Sequence, residues 1–277
     1  MVEMAHQKFS YQEQEQEVRS FEFTCDVTKD LDLFSVFDLI CINKSMNEVK
    51  LLQITPAAVY LIPPKSTYLM GSMTSSLNQL GTYAQVQSIG GADLIIMDPP
   101  WPNKSVKRSS HYDTQDIYDL YSIQMPKLMA ENDCIVAIWV TNKPKFHNFI
   151  INKLFPTWKL ECVGEWIWLK TTTQGECIFP IDSEHKKPYE QLIIGRPMRH
   201  PDMNTRKSLP RSHTIISVPS VRHSRKPPLE DALLPYINKK DPVCLELFAR
   251  HLSPGWISWG NECLKFQHLN YFDKPIE

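Results

Sequence analysis

The run Ala92-Asp93-Leu94-Ile95-Ile96-Met97, followed at once by Asp98-Pro99-Pro100-Trp101, decides how this chain folds. Mostly apolar residues closed by a proline pair read as a buried parallel strand that stops abruptly, because proline cannot extend a hydrogen-bonded ladder. In open α/β sheets the chemistry sits just past the carboxyl ends of such strands. Asp98 offers a hydrogen-bond acceptor there, the Pro99 carbonyl a second whose direction Pro100 fixes, and Trp101 a flat stacking face. That set suits an exocyclic amino group on a nucleobase, with its two N–H donors and π surface. Asp-Pro-Pro also opens ordinary turns, and tryptophan is often core. The tryptophan in register at a strand end favours the functional reading.

Outward from this turn, strands and helices alternate from about residue 66. Strands are expected at 92–97, 134–140, 158–169, 190–195, 214–218, 243–248 and 256–259. Helices are expected near 122–130, at 145–154 ending before Pro156, and at 229–237 after Pro227-Pro228, which suit a first helical turn. This alternation predicts an α/β fold, a mostly parallel sheet with helices on both faces. Residues 1–65 lack it and read as an N-terminal extension packed on the core, with a short amphipathic helix at 30–40 and a strand at 57–62; residues 66–277 form the main domain.

With 277 residues, 42% apolar and 22% charged, the chain can bury one good-sized core. No apolar run is long enough to cross a membrane, and the polar, acidic start does not resemble a signal peptide. Seven cysteines without a C-x-x-C pair and nine histidines without ligand spacing point to reduced thiols in cytoplasm or nucleus and to no metal.

The net charge of −1 is unevenly spread, with ten acidic and five basic side chains in residues 1–50. Ten Lys/Arg lie from His185 to Lys226, Lys186 and Lys187 among them, against Glu190 and Asp202. Lys104, Lys107 and Arg108 follow the Asp-Pro-Pro-Trp turn directly. Two basic clusters near the candidate site favour a polyanion-binding surface over a merely solvated face. The aperiodic stretch Arg196–Ser212 reads equally as a mobile clamp on nucleic acid or a surface insertion.

Nine glycines and no G-x-G-x-x-G count against NAD or FAD, and against the usual order in which a glycine-rich cofactor loop precedes the catalytic turn. Instead a strand near the C-terminus, Val243–Ala249, ends in Arg250, and Pro254-Gly255-Trp256-Ile257-Ser258-Trp259-Gly260-Asn261-Glu262 follows. With the Asp-Pro-Pro-Trp turn, Asn103–Ser109, Trp139-Val140-Thr141-Asn142, His185–Glu190, His223–Pro228 and Trp259–His268, these residues resemble the MT-A family of adenine-N6 methyltransferases, whose motif order is permuted. Within it they are closest to the branch of methyltransferase-like protein four. The resemblance covers roughly residues 65–272.

The resemblance implies a Rossmann-like fold and S-adenosylmethionine as methyl donor. Asp98 would hold both the target amine and the donor's amino group, with the Pro99 carbonyl beside it, Pro100 fixing the turn and Trp101 flanking a flipped adenine. Lys226 would lie near the donor carboxylate, Leu247 and Phe248 against the donor, and Arg250 on its ribose. Asn261 and Glu262 would contact its ribose and adenine edge. Glu190 would sit beside the target base, and Asn103 and Tyr112 would help close the site.

Two departures stand out. Gly71 lies where relatives carry an Asp that fixes the donor's adenine, leaving the Ser72 hydroxyl or the Gly71-Ser72 backbone to take its place. His251 replaces an Asn, and either can donate a hydrogen bond. The resemblance further implies a nuclear enzyme acting on an internal, 2′-O-methylated adenosine of U2 small nuclear RNA, and the chain is expected to be monomeric. DNA adenine is the competing substrate, and a non-catalytic RNA-binding member of the family is the reading from a different class.

Overall fold

A computed structural model describes residues 20–27, 33–86, 90–102, 116–183, 186–198, 206–221 and 224–272. In chain order the strands are β1 (Ser20–Glu22), β2 (Ile40–Ile42), β3 (Lys50–Thr55), β4 (Ala58–Ile62), β5 (Thr67–Met70) and β6 (Leu94–Met97). After them come β7 (Ile135–Val140), β8 (Leu160–Lys170), β9 (Tyr189–Pro197), β10 (Thr214–Ser217), β11 (Cys244–Leu247) and β12 (Trp256–Gly260).

Ten of them form one sheet in the order β1-β2-β5-β12-β11-β6-β7-β9-β8-β10, and β3 and β4 pair separately as a hairpin. The five central strands, β5-β12-β11-β6-β7, are all parallel. β2 joins β5, and β9 joins β7 and β8, antiparallel. This is the α/β, Rossmann-like sheet the sequence predicts. Strands ahead of residue 66 take part in it, since β1 and β2 continue the sheet beyond β5.

β6 and β7 are buried along their whole length, which explains their uninterrupted apolar sequences: both faces of the sheet are covered. Side chains alternate between the faces. Ile95, Met97, Val136 and Ile138 meet Leu77 and Leu80 of the helix Leu77–Val86 and Phe146 and Phe149 of the helix Pro144–Phe149. Leu94, Ile96, Ile135, Ala137 and Trp139 meet Leu229 and Leu233 on the other face.

Several expectations need correction. Among the described residues of the 30–40 stretch, a 3-10 turn, Leu33–Val36, stands in place of the expected helix before the chain enters β2. The helix expected at 122–130 shrinks to Met125–Leu128, because a separate 3-10 turn, Ile117–Ser122, capped by Asp116, precedes it. The helix expected at 145–154 does not stop before Pro156: Pro144–Phe149 continues through a π turn, Ile150–Leu154, into Phe155–Thr157. The π turn already abandons i−4 bonding, which leaves room for a residue without an N–H.

Candidate active site

The order in which strands are added reverses between the parallel neighbours β6 and β11: β6 leads to β7 on one side, β11 to β12 on the other. Ligands in open α/β sheets bind outside the carboxyl ends at such a switch point. Leu247 is in register with Met97, so Asp98 and Phe248 emerge there side by side. Phe248 adopts φ +62° and Ser224 φ +73°, left-handed backbone that non-glycine residues rarely take.

Opposite charges alternate along this edge. Asp98 Oδ1 lies 3.3 Å from Lys226 Nζ, and Oδ2 lies 3.1 Å from Arg250 Nη1. Lys226 also meets Glu190 Oε2 at 2.7 Å, and Glu190 binds Lys170 through its other oxygen. On the far side Arg250 Nε approaches Glu262 at 3.6 Å. Burial pushes the Asp98 pKa up, against the pull of Lys226 and Arg250. Burial also opposes the Lys226 ammonium, yet Asp98 and Glu190 together hold its pKa above the ordinary value. Glu190 feels the same desolvation, and Lys226 and Lys170 overcome it to lower its pKa.

The turn itself is rigid. The Pro99 carbonyl accepts the Trp101 N–H at 2.8 Å and keeps a second lone pair for another donor. Trp101 Nε1 donates to the Trp139 carbonyl at 2.7 Å, and its ring packs on Phe146 with centroids 5.0 Å apart. The indole is 9% exposed, so it is a fixed wall beside the corner rather than a free paddle.

A cavity of about 290 Å³ opens beside Asp98, walled by Lys226, Phe248, Arg250, Glu246 and His251. Cations, a carboxylate and an aromatic ring around one space match a carboxylate, an ammonium and a sulfonium on one short amino-acid chain, so the residues fit S-adenosylmethionine. Burial, with Asp98 and Glu230 adding to it, pushes Glu246 up to about 8. Burial and Arg225 push His251 down to about 4, and its Nε2 stands 3.8 Å from Glu246. At neutral pH both are uncharged.

The other sequence candidates fall in different places. Leu247 is fully buried in the apolar core and is not part of the cavity wall, whereas Phe248 is. Asn261 is exposed after β12, close to Gly71, whose N–H donates to the Gly260 carbonyl at 3.2 Å. Ser72 is exposed, bonded to Thr74 and Ser75 at 2.9 Å each. Lys186 is exposed, and Lys187 donates to the Ile181 carbonyl at 3.3 Å. Asn103, Lys104, Lys107, Arg108 and Tyr112 lie outside the described residues.

Of the stretch Arg196–Ser212, residues 199–205 lie outside the described residues. Arg196 is buried and donates to the Lys207 and Tyr236 carbonyls; Arg206 pairs with Asp133 at 2.9 Å; Lys207 donates to the Pro235 carbonyl. Among the described residues of this stretch these cations tie the fold together. Sequence reading missed Lys170 and Glu246. Lys170 closes β8 after an aromatic run, and Glu246 is an acid inside an apolar strand; both are signals that could have been read.

The family described as MT-A70 matches residues 92–262. The chain is 48% identical over 220 residues to the human N(6)-adenine-specific methyltransferase METTL4, covering 77% of this chain and 45% of that protein. It is 40% identical to the N6-methyladenosine RNA methyltransferase MTA1 of Pyricularia oryzae, covering 75% and 55%. It is 36% identical to a DNA N6-methyl methyltransferase of Caenorhabditis elegans, covering 78% and 56%. The chain thus spans about half the length of the curated relatives it matches.

Proposed function

This chain belongs to the MT-A70 family, and on that footing we propose that it transfers a methyl group from S-adenosylmethionine to the N6 amine of an adenosine in nucleic acid. The observation that carries the reading is Asp98: a carboxylate at the switch point, held between two cations on the edge of a cavity with charges suited to the donor.

The donor supplies an electrophilic methyl on a sulfonium. The residues do the rest. Lys226 is placed for the donor carboxylate and Asp98 for its ammonium, while Phe248 walls the space between. A carboxylate has about four acceptor sites, so Asp98 can accept an N–H of the target while bonded to Lys226 and Arg250. A second N–H can go to the free lone pair of Pro99. Two such bonds favour a pyramidal amine and aim its lone pair, and the Asp98 charge stabilises positive charge growing on nitrogen. Alignment accounts for part of the ~7–11 kcal/mol available from orientation. The surplus proton leaves afterwards to Asp98 or water. The target base must leave its stack, and Trp101 walls the place it would enter.

At the donor's other end, Asp38 takes the place of the acid absent at residue 71. β6, β11, β12 and β5 stand in a row, so Gly71 is about 14 Å from Asp98 at three strand spacings of ~4.8 Å. Asp38 lies at that far end with Ser72, Ser75 and Asn261.

RNA is the favoured substrate, an internal 2′-O-methyladenosine of U2 small nuclear RNA in the nucleus, as the resemblance to this branch implies. DNA adenine is the second reading, favoured by the printed activity of the nematode relative. Incubation with labelled donor and matched RNA and DNA oligomers, then digestion to nucleosides, tests both. N6-methyladenosine from the 2′-O-methylated RNA supports the first, and label in deoxyadenosine supports the second. Label in neither, from a protein that binds the donor, counts against catalysis.

A further inference from the structure

We infer that Tyr118 and Tyr121, with Lys143, Lys145 and Lys153, form a seat for the nucleotides that flank the target base in a single-stranded nucleic acid. This rests on the methyltransferase reading, and goes beyond it by naming where the rest of the strand lies.

The two tyrosines are 53% and 37% exposed, unusual for large rings beside a core. Their rings stack at 6.1 Å and 19°, and both meet Phe149 edge-on, at 5.7 and 5.5 Å. The backbone beneath them is fixed by a capping box between Asp116 and Asp119. Rings already held in place lose little freedom on binding, which suits a stacking surface.

A groove of about 370 Å³ runs beside Tyr118 from Pro102 to Lys153, over Phe146 and Phe149. Phe146 links this groove to the catalytic turn, since Trp101 packs on it. Lysines edge it: Lys143 donates to the Pro102 carbonyl at 3.3 Å, and the Lys145 ammonium stands 4.8 Å from the Phe146 centroid. Among the described residues, none of the three lysines forms an ion pair with a carboxylate. The nearby acids are committed to the backbone, Asp116 accepting the Tyr118 N–H and Asp119 the Asp116 N–H. Exposed aromatic faces beside cations that, among the described residues, have no carboxylate partner, and linked through Phe146 to the Trp101 wall, are what a single strand needs.

The test measures affinity by fluorescence anisotropy for a trinucleotide and a nonanucleotide, each with one central adenosine among uridines, as ribose and deoxyribose strands. Wild type should bind the longer strand more tightly. Tyr118→Ala/Tyr121→Ala should lose roughly tenfold on the long strand alone. Lys145→Glu/Lys153→Glu should flatten the salt dependence, and Tyr118→Phe should keep the wild-type gain. Folding is checked by Tm and by calorimetric donor affinity.

The seat is refuted if well-folded variants keep the full gain with length, or if they lose the short strand equally. Wild type that binds the donor yet gains nothing from length refutes the seat and leaves the methyltransferase reading standing. A gain with length in a protein that binds no donor upholds the strand seat and sinks methyl transfer.

Discussion

The Asp38 carboxylate occupies the space in which a side chain at Gly71 would begin. A Cβ there would collide with Asp38 Oδ1 and the Ser76 hydroxyl and lie 2.6 Å from Ser76 Cβ. Asp38 is anchored by its N–H to the Met70 carbonyl at 2.8 Å and by the Ser75 hydroxyl at 2.7 Å. The glycine is therefore the partner of an acid supplied from another segment. Gly71→Asp should bring like charges together in a filled space and cost about 1–3 kcal/mol of stability, read as a lower Tm. Asp38→Ala should fold and bind S-adenosylmethionine roughly tenfold more weakly by calorimetry. Unchanged donor affinity would remove Asp38 from the donor site.

Asp98→Ala should reduce methyl transfer on the order of a thousandfold, measured with labelled donor. Lys226 keeps Glu190 and Arg250 keeps Glu262 as partners. The stability loss should therefore stay below the ~3–5 kcal/mol seen when a buried ion is orphaned. Near-normal turnover in a folded variant would contradict the assigned role.

Trp101→Ala should cost about 3–5 kcal/mol, because it leaves a cavity against Phe146 and strips the Trp139 carbonyl of its donor. Trp101→Phe should recover much of the packing but not the hydrogen bond. Chemical denaturation of both variants separates the two contributions.

Stability should fall as pH rises from about 6.5 to about 8. Glu246, ordinarily near 4.5, titrates at about 8 in the fold, so the native state holds the extra proton between these values and ionisation works against folding. His251, ordinarily near 6.5, titrates at about 4, so between those values the unfolded chain binds the extra proton and stability rises with pH. The two trends oppose one another up to about 6.5, and above it Glu246 acts alone. Tm measured across this window should decline in wild type and stay flat in Glu246→Gln.

The parts of the site legible in the sequence are those carried by short, contiguous signals. Asp98–Trp101 closes an apolar strand, Arg250 follows another, and Lys226 precedes a proline pair; the fold brings all three to one edge. Glu190 was also found, but not Lys170, its neighbour across β8 and β9, because strand register is invisible before the sheet is known. Asp38 was hidden for the same reason: nothing local links residue 38 to residue 71. For Arg196, Arg206 and Lys207 the charge pattern did not reveal direction. Long cationic side chains there turn inward and cap backbone carbonyls.

β2 is zipped along β5, the strand that ends at Met70, just before Gly71. Trimming the protein back to residue 66 would strip that neighbour away and bare a row of unsatisfied amides, an adhesive margin prone to clumping. It would also discard Asp38. Anyone seeking a smaller version of this protein should leave this leading piece attached and shorten the molecule somewhere else.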